Sequence, residues 1–230
     1  MLLLLFRFLK KREKFFSIQM MKPKYRVVVV SFLSVGWFNF LFFYQARRPE
    51  TFWLAFPLAL LVLLAVSVAL ERRMPAGAVA LFGQVPKALV LGVLSAVALY
   101  LIFLLGRQLL GWVFPGSLRQ IEGVYALKEG QNAWKVGLLL TFFVGPGEEL
   151  LWRGYLQRRW CELLGGWPGL AVGVLFYTAA HLGSGNPVLI LAASVCGLWW
   201  GGQYLWQRSL LSNMVSHALW DLMAFVWLPF

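Results

Sequence analysis

Residues 145–153 read GPGEELLWR, and this stretch is the most informative part of the chain. It places two adjacent carboxylates, Glu148 and Glu149, between apolar runs, with Lys135 as the nearest charge upstream. A charge in a membrane-spanning segment costs roughly 2.5–3.5 kcal/mol on insertion scales. A catalytic or ion-handling site is the usual reason for accepting that cost, so the stretch predicts a functional site.

The composition of the whole chain is that of a polytopic membrane protein. Its 230 residues are 60% hydrophobic and only 13% charged, with a mean hydropathy of +0.72, whereas a soluble domain has about 25% charged residues. Because lipid offers no partner for unpaired backbone groups, the spans must be helical. The predicted fold class is therefore all-α, a bundle of about seven transmembrane helices, with a range of six to eight. Cys161 and Cys196 lack metal-type spacing and are interpreted as small apolar fillers.

The apolar runs and their charged or Gly/Pro-rich boundaries place the spans. The longest polar connection, 107–134, is interpreted as a connector with a short interfacial helix at 118–127. The chain then divides into a basic cytoplasmic or interfacial segment (1–26), N-terminal helices with a connecting loop (27–134) and a C-terminal helical core (135–230). The predicted spans are 27–44, 52–70, 88–106, 135–155 (continuing to 164), 170–182, 188–206 and 210–227.

The net charge of +12 is distributed as in a membrane protein. Eight of the 21 Lys and Arg precede Val27, and most others flank apolar spans. This pattern indicates topology signals and contacts with membrane lipids, and it argues against nucleic acid as a partner. The predicted location is an integral, multi-pass membrane protein, in the plasma membrane if the chain is prokaryotic. The positive-inside rule puts residues 1–26 in the cytoplasm, and seven spans then put residue 230 outside.

Ionisable groups within the spans are confined to the C-terminal part of the chain. The acids are Glu148, Glu149 and Asp221, and both histidines of the chain, His181 and His217, also lie in apolar spans. Intramembrane ionisable groups face the interior of a bundle or a cavity by default. We therefore expect these side chains to meet in one site.

Helical spacing assigns provisional roles to the acidic residues. Glu149 and Arg153 are four residues apart in the favourable acid-before-base order, which predicts a structural ion pair. Glu148 points about 100° away from that pair and is predicted to be the free carboxylate. His217 and Asp221 are also four residues apart and share a helix face.

Two further polar residues extend these faces. Asn213 lies one turn before His217, and Tyr177 lies one turn before His181. Both are minor candidates for the site, and Tyr177 is more readily interpreted as a packed aromatic ring than as a catalyst.

Two kinds of chemistry suit the set Glu148, His181, His217 and Asp221. Two imidazoles with one or two carboxylates can bind a divalent metal, zinc being the first choice, and leave a position for water. Alternatively, no cofactor is needed: a carboxylate and a histidine deprotonate water, and the other pair stabilises the developing oxyanion. The spacing does not decide between them.

These residues resemble the CPBP family, which includes the CAAX prenyl endopeptidases, the bacteriocin-processing enzymes and the Abi proteins. Three motifs carry the likeness, which covers residues 136–225. EExxxR appears as EELLWR from Glu148, FxxxH as YTAAH from Tyr177, and HxxxN or HxxxD as HALWD from His217. Tyr stands where the second motif has Phe, and Asp221 takes the alternative that adds a negative charge.

The resemblance implies an intramembrane endopeptidase that cleaves a membrane-associated peptide or protein, prenylated or carrying a leader peptide. By this resemblance Glu148 activates water with the help of His181. His217 and Asp221 polarise the scissile carbonyl or bind metal, and Glu149 with Arg153 holds the site together.

Two other functions remain open at the level of sequence: a non-catalytic membrane immunity or scaffold protein with the same fold, and a proton-coupled transporter. One geometric difficulty accompanies the peptidase hypothesis. In a straight seven-span arrangement His181 lies near the outer face while Glu148 and His217 lie deeper. A shared site then requires the fourth span to break at residues 145–147, or a different topology.

Overall fold

The computed structural model describes residues 22–45, 48, 51–71 and 84–230. The described residues form helices and connecting turns without a strand, which confirms the all-α class. The basic segment 1–26 lies mostly outside the described residues, as do 46–47, 49–50 and 72–83. The charged loops used for the topology are therefore largely not described, and the division of the chain into three parts stays a prediction.

Three long helices come first and form the N-terminal half of the described chain. They carry large apolar side chains that are well exposed on the protein surface, as expected where lipid replaces water as solvent. Short helix α4 follows and ends in a single 3₁₀ turn at Ala126–Lys128. The bounds are Pro23–Gln45 for α1, Phe52–Glu71 for α2, Val85–Val113 for α3 and Ser117–Tyr125 for α4.

The C-terminal part contains four further helices. Residues 133–164 form the continuous helix α5, which includes two π-helical segments. A 3₁₀ turn, Leu182–Ser184, separates α6 from α7. The bounds are Gly166–Ala179 for α6, Pro187–Gln207 for α7 and Leu210–Asp221 for α8, which continues as a π-helical turn through Leu222–Trp227.

Four of these helices are long and apolar enough to cross a membrane by length and composition. They lie in α1, α2, α3 and α7. The other three predicted spans are helical as well, but α6 has only 14 residues and α5 buries charged side chains. The structure thus agrees with an integral membrane protein in which the helices that carry the predicted site are shorter or more polar than the four candidate spans.

The helix does not break at residues 145–147, so of the two arrangements that would allow a shared site, a break or a different topology, the break does not occur. Gly145–Glu149 is α-helical, and it follows the π-helical segment Leu140–Val144, in which the N–H of Gly145 donates to the carbonyl of Leu140 five residues back. Gly145 and Gly147 instead allow close packing against neighbouring helices. A Cβ on Gly145 would lie 3.1 Å from the backbone nitrogen of Ala218 in α8, and one on Gly147 would lie 3.2 Å from Leu60 in α2. Close packing against α8 and α2 therefore explains why residues without a side chain occupy these two positions.

Close helix crossings hold the C-terminal helices together. A Cβ on Gly169 would lie 2.4 Å from the backbone of Cys161, where α5 crosses the start of α6. A Cβ on Gly92 would lie 2.8 Å from the carbonyl oxygen of Ser212, where α3 packs on α8. Small residues permit this approach, and it brings the polar faces of α5, α6 and α8 toward one another.

Candidate active site

Glu149 is the centre of a buried polar cluster. Its side chain has an exposed fraction of 0%. Its Oε1 accepts hydrogen bonds from Arg153 Nη1 at 3.0 Å and from His217 Nδ1 at 2.8 Å. Its Oε2 accepts one from Asn213 Nδ2 at 3.0 Å. The predicted ion pair between Glu149 and Arg153 is confirmed, and the cluster links α5 to α8.

Arg153 extends this cluster to α7. Its Nη2 approaches the carbonyl oxygens of Cys196 at 3.4 Å and Gly197 at 3.5 Å. Asn213 also links the cluster to α7 from α8, because its Nδ2 donates to the carbonyl of Trp200 at 2.8 Å. Three helices are thus tied together around one carboxylate, and both charges of this cluster, Glu149 and Arg153, have partners, as burial in a low-dielectric interior requires.

Glu148 points away from that cluster, as helical geometry predicts. It receives one hydrogen bond, from the hydroxyl of Tyr177 to Oε2 at 2.9 Å. As expected, Glu148 does not bond to Arg153. It does have one partner, the Tyr177 hydroxyl. Glu148 lines a cavity, whereas Glu149 is enclosed by its own partners.

The cavity has a volume of about 280 Å³ and brings the predicted site residues together. Glu148, His181, His217 and Asp221 all line it, although they come from α5, the turn after α6, and α8. Most of the remaining wall is apolar and includes aromatic rings of α1 and α2, such as Phe42 and Phe56. A few convergent polar groups in an apolar hollow are typical of a ligand or active site.

Each histidine is oriented through its Nδ1 atom. Nδ1 of His181 donates to the backbone carbonyl of Tyr177 at 2.9 Å, and Nδ1 of His217 donates to Glu149. In the neutral ring of His181 this bond leaves the lone pair on Nε2. His217 is also held by its stacking on Trp200, with ring centroids 3.7 Å apart and planes 18° apart.

Asp221 lies beside His217 without bonding to it. The Oδ2 of Asp221 is 3.7 Å from Nε2 of His217, beyond hydrogen-bonding distance. This oxygen is buried and accepts no hydrogen bond from the described residues. A buried acceptor without a partner carries a desolvation cost, which a water molecule or a substrate N–H group in the cavity would offset.

A metal ion requires several donor side chains that converge on one point. Across the described ranges, no group of three His, Cys, Asp or Glu side chains is arranged so that it could hold a metal. The side chains as placed here therefore do not fit a divalent ion, and the predicted metal stays a prediction.

Sequence reasoning missed Asn39 of α1. Its Nδ2 donates to the carbonyl of Ala179 at 2.8 Å, and its Oδ1 accepts from the N–H of Gly183. Asn39 therefore holds both ends of the turn that carries His181. The signal was present in the sequence, since Asn39 is an amide inside an apolar run, but its contact lies 140 residues away along the chain.

Comparison with known proteins agrees with the motifs. Residues 130–223 match the family model described as type II CAAX prenyl endopeptidase Rce1-like. No curated protein matches the chain, and no solved structure matches it. The matched region contains every residue of the predicted site, from Glu148 to Asp221. Residues 130–223 are thus similar to the Rce1-like domain of type II CAAX prenyl endopeptidases.

Proposed function

We propose that this protein is an intramembrane endopeptidase of the CAAX-protease type, which hydrolyses a peptide bond with water activated by Glu148 and His181. The Rce1-like domain supports an intramembrane protease at the level of the family. The observation that carries the proposal is the convergence of Glu148, His181, His217 and Asp221 on one cavity.

Glu148 and His181 are the proposed water-activating pair. Glu148 has one oxygen bonded to Tyr177 and presents the other to the cavity. His181 presents the Nε2 lone pair, because its Nδ1 is bonded to a backbone carbonyl. Either group can take a proton from water while the water oxygen attacks the scissile carbonyl carbon. The same proton then passes to the leaving amine as the carbon–nitrogen bond breaks.

His217 and Asp221 are the proposed partners of the developing charge. When it is protonated, His217 donates from Nδ1 to Glu149 and has Nε2–H left for the carbonyl oxygen of the substrate. Asp221 accepts from a substrate N–H group or, when protonated, donates to the same oxygen. Donors fixed in advance in a water-poor site stabilise an oxyanion more strongly than water does.

The proposed substrate is a peptide or protein held at the membrane. The largely apolar wall of the cavity supports a hydrophobic or lipidated segment, and both prenylated and leader-peptide substrates belong in the test. The proposed location is the plasma membrane if the chain is prokaryotic. Binding of a divalent metal, zinc first, is tested alongside cleavage.

The test is cleavage by the purified full-length chain in lipid nanodiscs. Prenylated, unprenylated and leader-type peptides are incubated with the wild type and with Glu148→Gln, with and without a chelator, and the protein is assayed for bound metal. We expect cleavage by the wild type and a loss of at least about 100-fold in the variant. A Glu148→Gln protein that cleaves as fast as the wild type would rule out the assigned role.

The non-catalytic alternative makes a different prediction. If the protein is an immunity or scaffold protein, the wild type cleaves none of the peptides, and a Glu148→Ala/His181→Ala double variant still restores the cellular phenotype. If it is a transporter, proteoliposomes containing the wild type accumulate substrate without cleaving it.

A further inference from the structure

Tyr177 carries a hydroxyl group at the position where the motif of the resembling family has Phe. That hydroxyl donates to Glu148 Oε2 at 2.9 Å, and the residue is buried. No other hydrogen bond to Glu148 occurs among the described residues, so one carboxylate oxygen is fixed and the other is left to the cavity. By contrast, both oxygens of Glu149 are occupied.

The ring of Tyr177 is held firmly enough to fix the position of its hydroxyl. Trp152 packs edge-on, with centroids 5.2 Å apart and planes 83° apart. The guanidinium carbon of Arg153 lies 4.7 Å from the ring centroid. A Cβ on Gly197 would come within 3.2 Å of the ring, so α7 also packs closely here.

The same residue orients the second member of the water-activating pair. The backbone carbonyl of Tyr177 accepts the Nδ1–H of His181, and the two rings meet edge-on with centroids 5.0 Å apart. One residue therefore contacts both groups that the proposed mechanism needs, through its hydroxyl on one side and through its carbonyl on the other.

We infer that Tyr177 is a positioning residue for hydrolysis, and that its hydroxyl holds the Glu148 carboxylate in the orientation in which the free oxygen faces the substrate. This inference rests on the proposed peptidase function. It separates two contributions of Tyr177, because substitution by Phe removes the hydroxyl and leaves both the ring packing and the backbone bond to His181.

The experiment compares Tyr177→Phe with Tyr155→Phe in the full-length protein. Tyr155 is a matched control, because it is buried in the same helix as Glu148 and its hydroxyl has no hydrogen-bond partner among the described residues. For Tyr177→Phe we expect a kcat about tenfold lower, as the loss of a hydrogen bond to a charged group predicts. We also expect an unchanged KM, a fold that stays intact at the assay temperature, and a shifted acid limb of the pH–activity profile. Tyr155→Phe should match the wild type in kcat, KM, stability at the assay temperature and pH–activity profile.

A Tyr177→Phe protein with wild-type kcat and pH profile overturns the inference, and so does one whose lost activity is fully explained by a smaller folded fraction at the assay temperature. Infrared difference spectra of the same proteins, with the Glu148 carboxylate band assigned through its absence in Glu148→Gln, test the hydrogen bond without any substrate. If the band shifts in Tyr177→Phe but the wild type cleaves nothing, the bond exists and the peptidase function fails. If the wild type cleaves and the band does not shift, the inference fails alone.

Discussion

Glu148 and Glu149 are neighbours in the chain but have opposite surroundings. Glu149 is enclosed by an arginine, a histidine and an asparagine, each bonded to its carboxylate. Glu148 has a single hydroxyl partner and a cavity in front of it. A carboxylate with all its bonds satisfied by the protein stabilises the fold, whereas one with an oxygen left over is available to a substrate or water.

This contrast predicts that two isosteric changes have separable effects. Glu149→Gln leaves Arg153 buried with its charge uncompensated, so we expect a loss of about 3–5 kcal/mol in the free energy of unfolding. Glu148→Gln should keep the wild-type Tm. Thermal unfolding of both variants in the same detergent measures the difference, and equal melting temperatures would contradict the assignment of Glu149 as the structural acid.

Asn39 gives a second test at the scale of single residues. Asn39→Leu removes both bonds to the turn that carries His181. We expect a loss of about 1–2 kcal/mol in stability, because each such bond contributes about 0.5–1.5 kcal/mol, together with lower peptidase activity. Ser67→Ala is the control, since Ser67 is a buried polar residue whose hydrogen bond among the described residues goes to the carbonyl of Leu63 in its own helix. Activity unchanged in Asn39→Leu would show that the turn holds His181 without this clamp.

Contacts within one helix could be predicted from the sequence, and contacts between helices could not. The spacing of Glu149 and Arg153 predicts their ion pair because helix geometry fixes which side chains share a face. The bond from Tyr177 to Glu148 depends on how α6 is rotated and shifted against α5. A single sequence contains no rule for that shift, and for the same reason the bond from Asn213 to Glu149 was not foreseen.

At the scale of elements, α5 is distinguished by the π-helical segments on either side of Gly145–Glu149. In the second of them, Leu150–Gln157, the N–H of Arg158 donates to the carbonyl of Arg153 five residues back. Such wide turns occur frequently at functional sites. Pro146 remains inside a continuous helix between them, so the break at residues 145–147, one of the two arrangements considered for a shared site, does not occur.

The crossing of α5 and α6 predicts unequal effects of two glycine substitutions. Gly169→Ala would place a Cβ 2.4 Å from the backbone of Cys161, so we expect a loss of about 1–3 kcal/mol from overpacking. Gly202→Ala in α7 meets nothing within 4 Å, and the better helix propensity of Ala should leave stability equal or up to about 1 kcal/mol higher. Melting temperatures of the two variants provide the measurement. A Gly169→Ala protein as stable as the wild type would show that the two helices can separate at little cost.

At the scale of the whole molecule, α4 and the turn after it connect elements that are distant in the chain. Trp53 Nε1 of α2 donates to the carbonyl of Leu127 at 2.8 Å, and Asn186 Nδ2, before α7, donates to the carbonyl of Gln120 at 2.8 Å. The Tyr125 hydroxyl donates to the carbonyl of Ala224 at 2.9 Å. Side chains of this segment also line the cavity, so the interfacial helix expected from the sequence forms part of the site wall.

This arrangement predicts that α4 can be loosened without disturbing the catalytic groups. Burial raises the pKa of Tyr125, so its hydroxyl is a donor at neutral pH. Tyr125→Phe removes the bonds to Ala224 and to the N–H of Phe230, and we expect faster hydrogen exchange in residues 117–128 and a higher KM with little change in kcat. Tyr155→Phe again provides the control. Unchanged exchange in this segment would mean that the bonds from α2 and α7 hold it without Tyr125.

The composition alone predicts a helical membrane protein, but it does not predict the position of α4. A chain with 13% charged residues and long apolar runs has few alternatives to a helical bundle. The place of α4 against the cavity depends on bonds from Trp53 and Asn186, which lie more than sixty residues away on either side. Only the assembled fold shows that this connector borders the site.

Cys196 provides a chemical reporter inside the wall of the cavity. Its side chain is buried and lines the hollow that holds Glu148 and His181, whereas Cys161 is only half-buried and lies outside that hollow. A small methylating reagent can reach Cys196 only when the hollow is open to it, so a change in its alkylation rate relative to that of Cys161 in the same molecule indicates a change in access to the hollow. Anything that occupies the hollow should slow the first reaction and leave the second unchanged, and ligands can be screened in this way before any substrate has been identified.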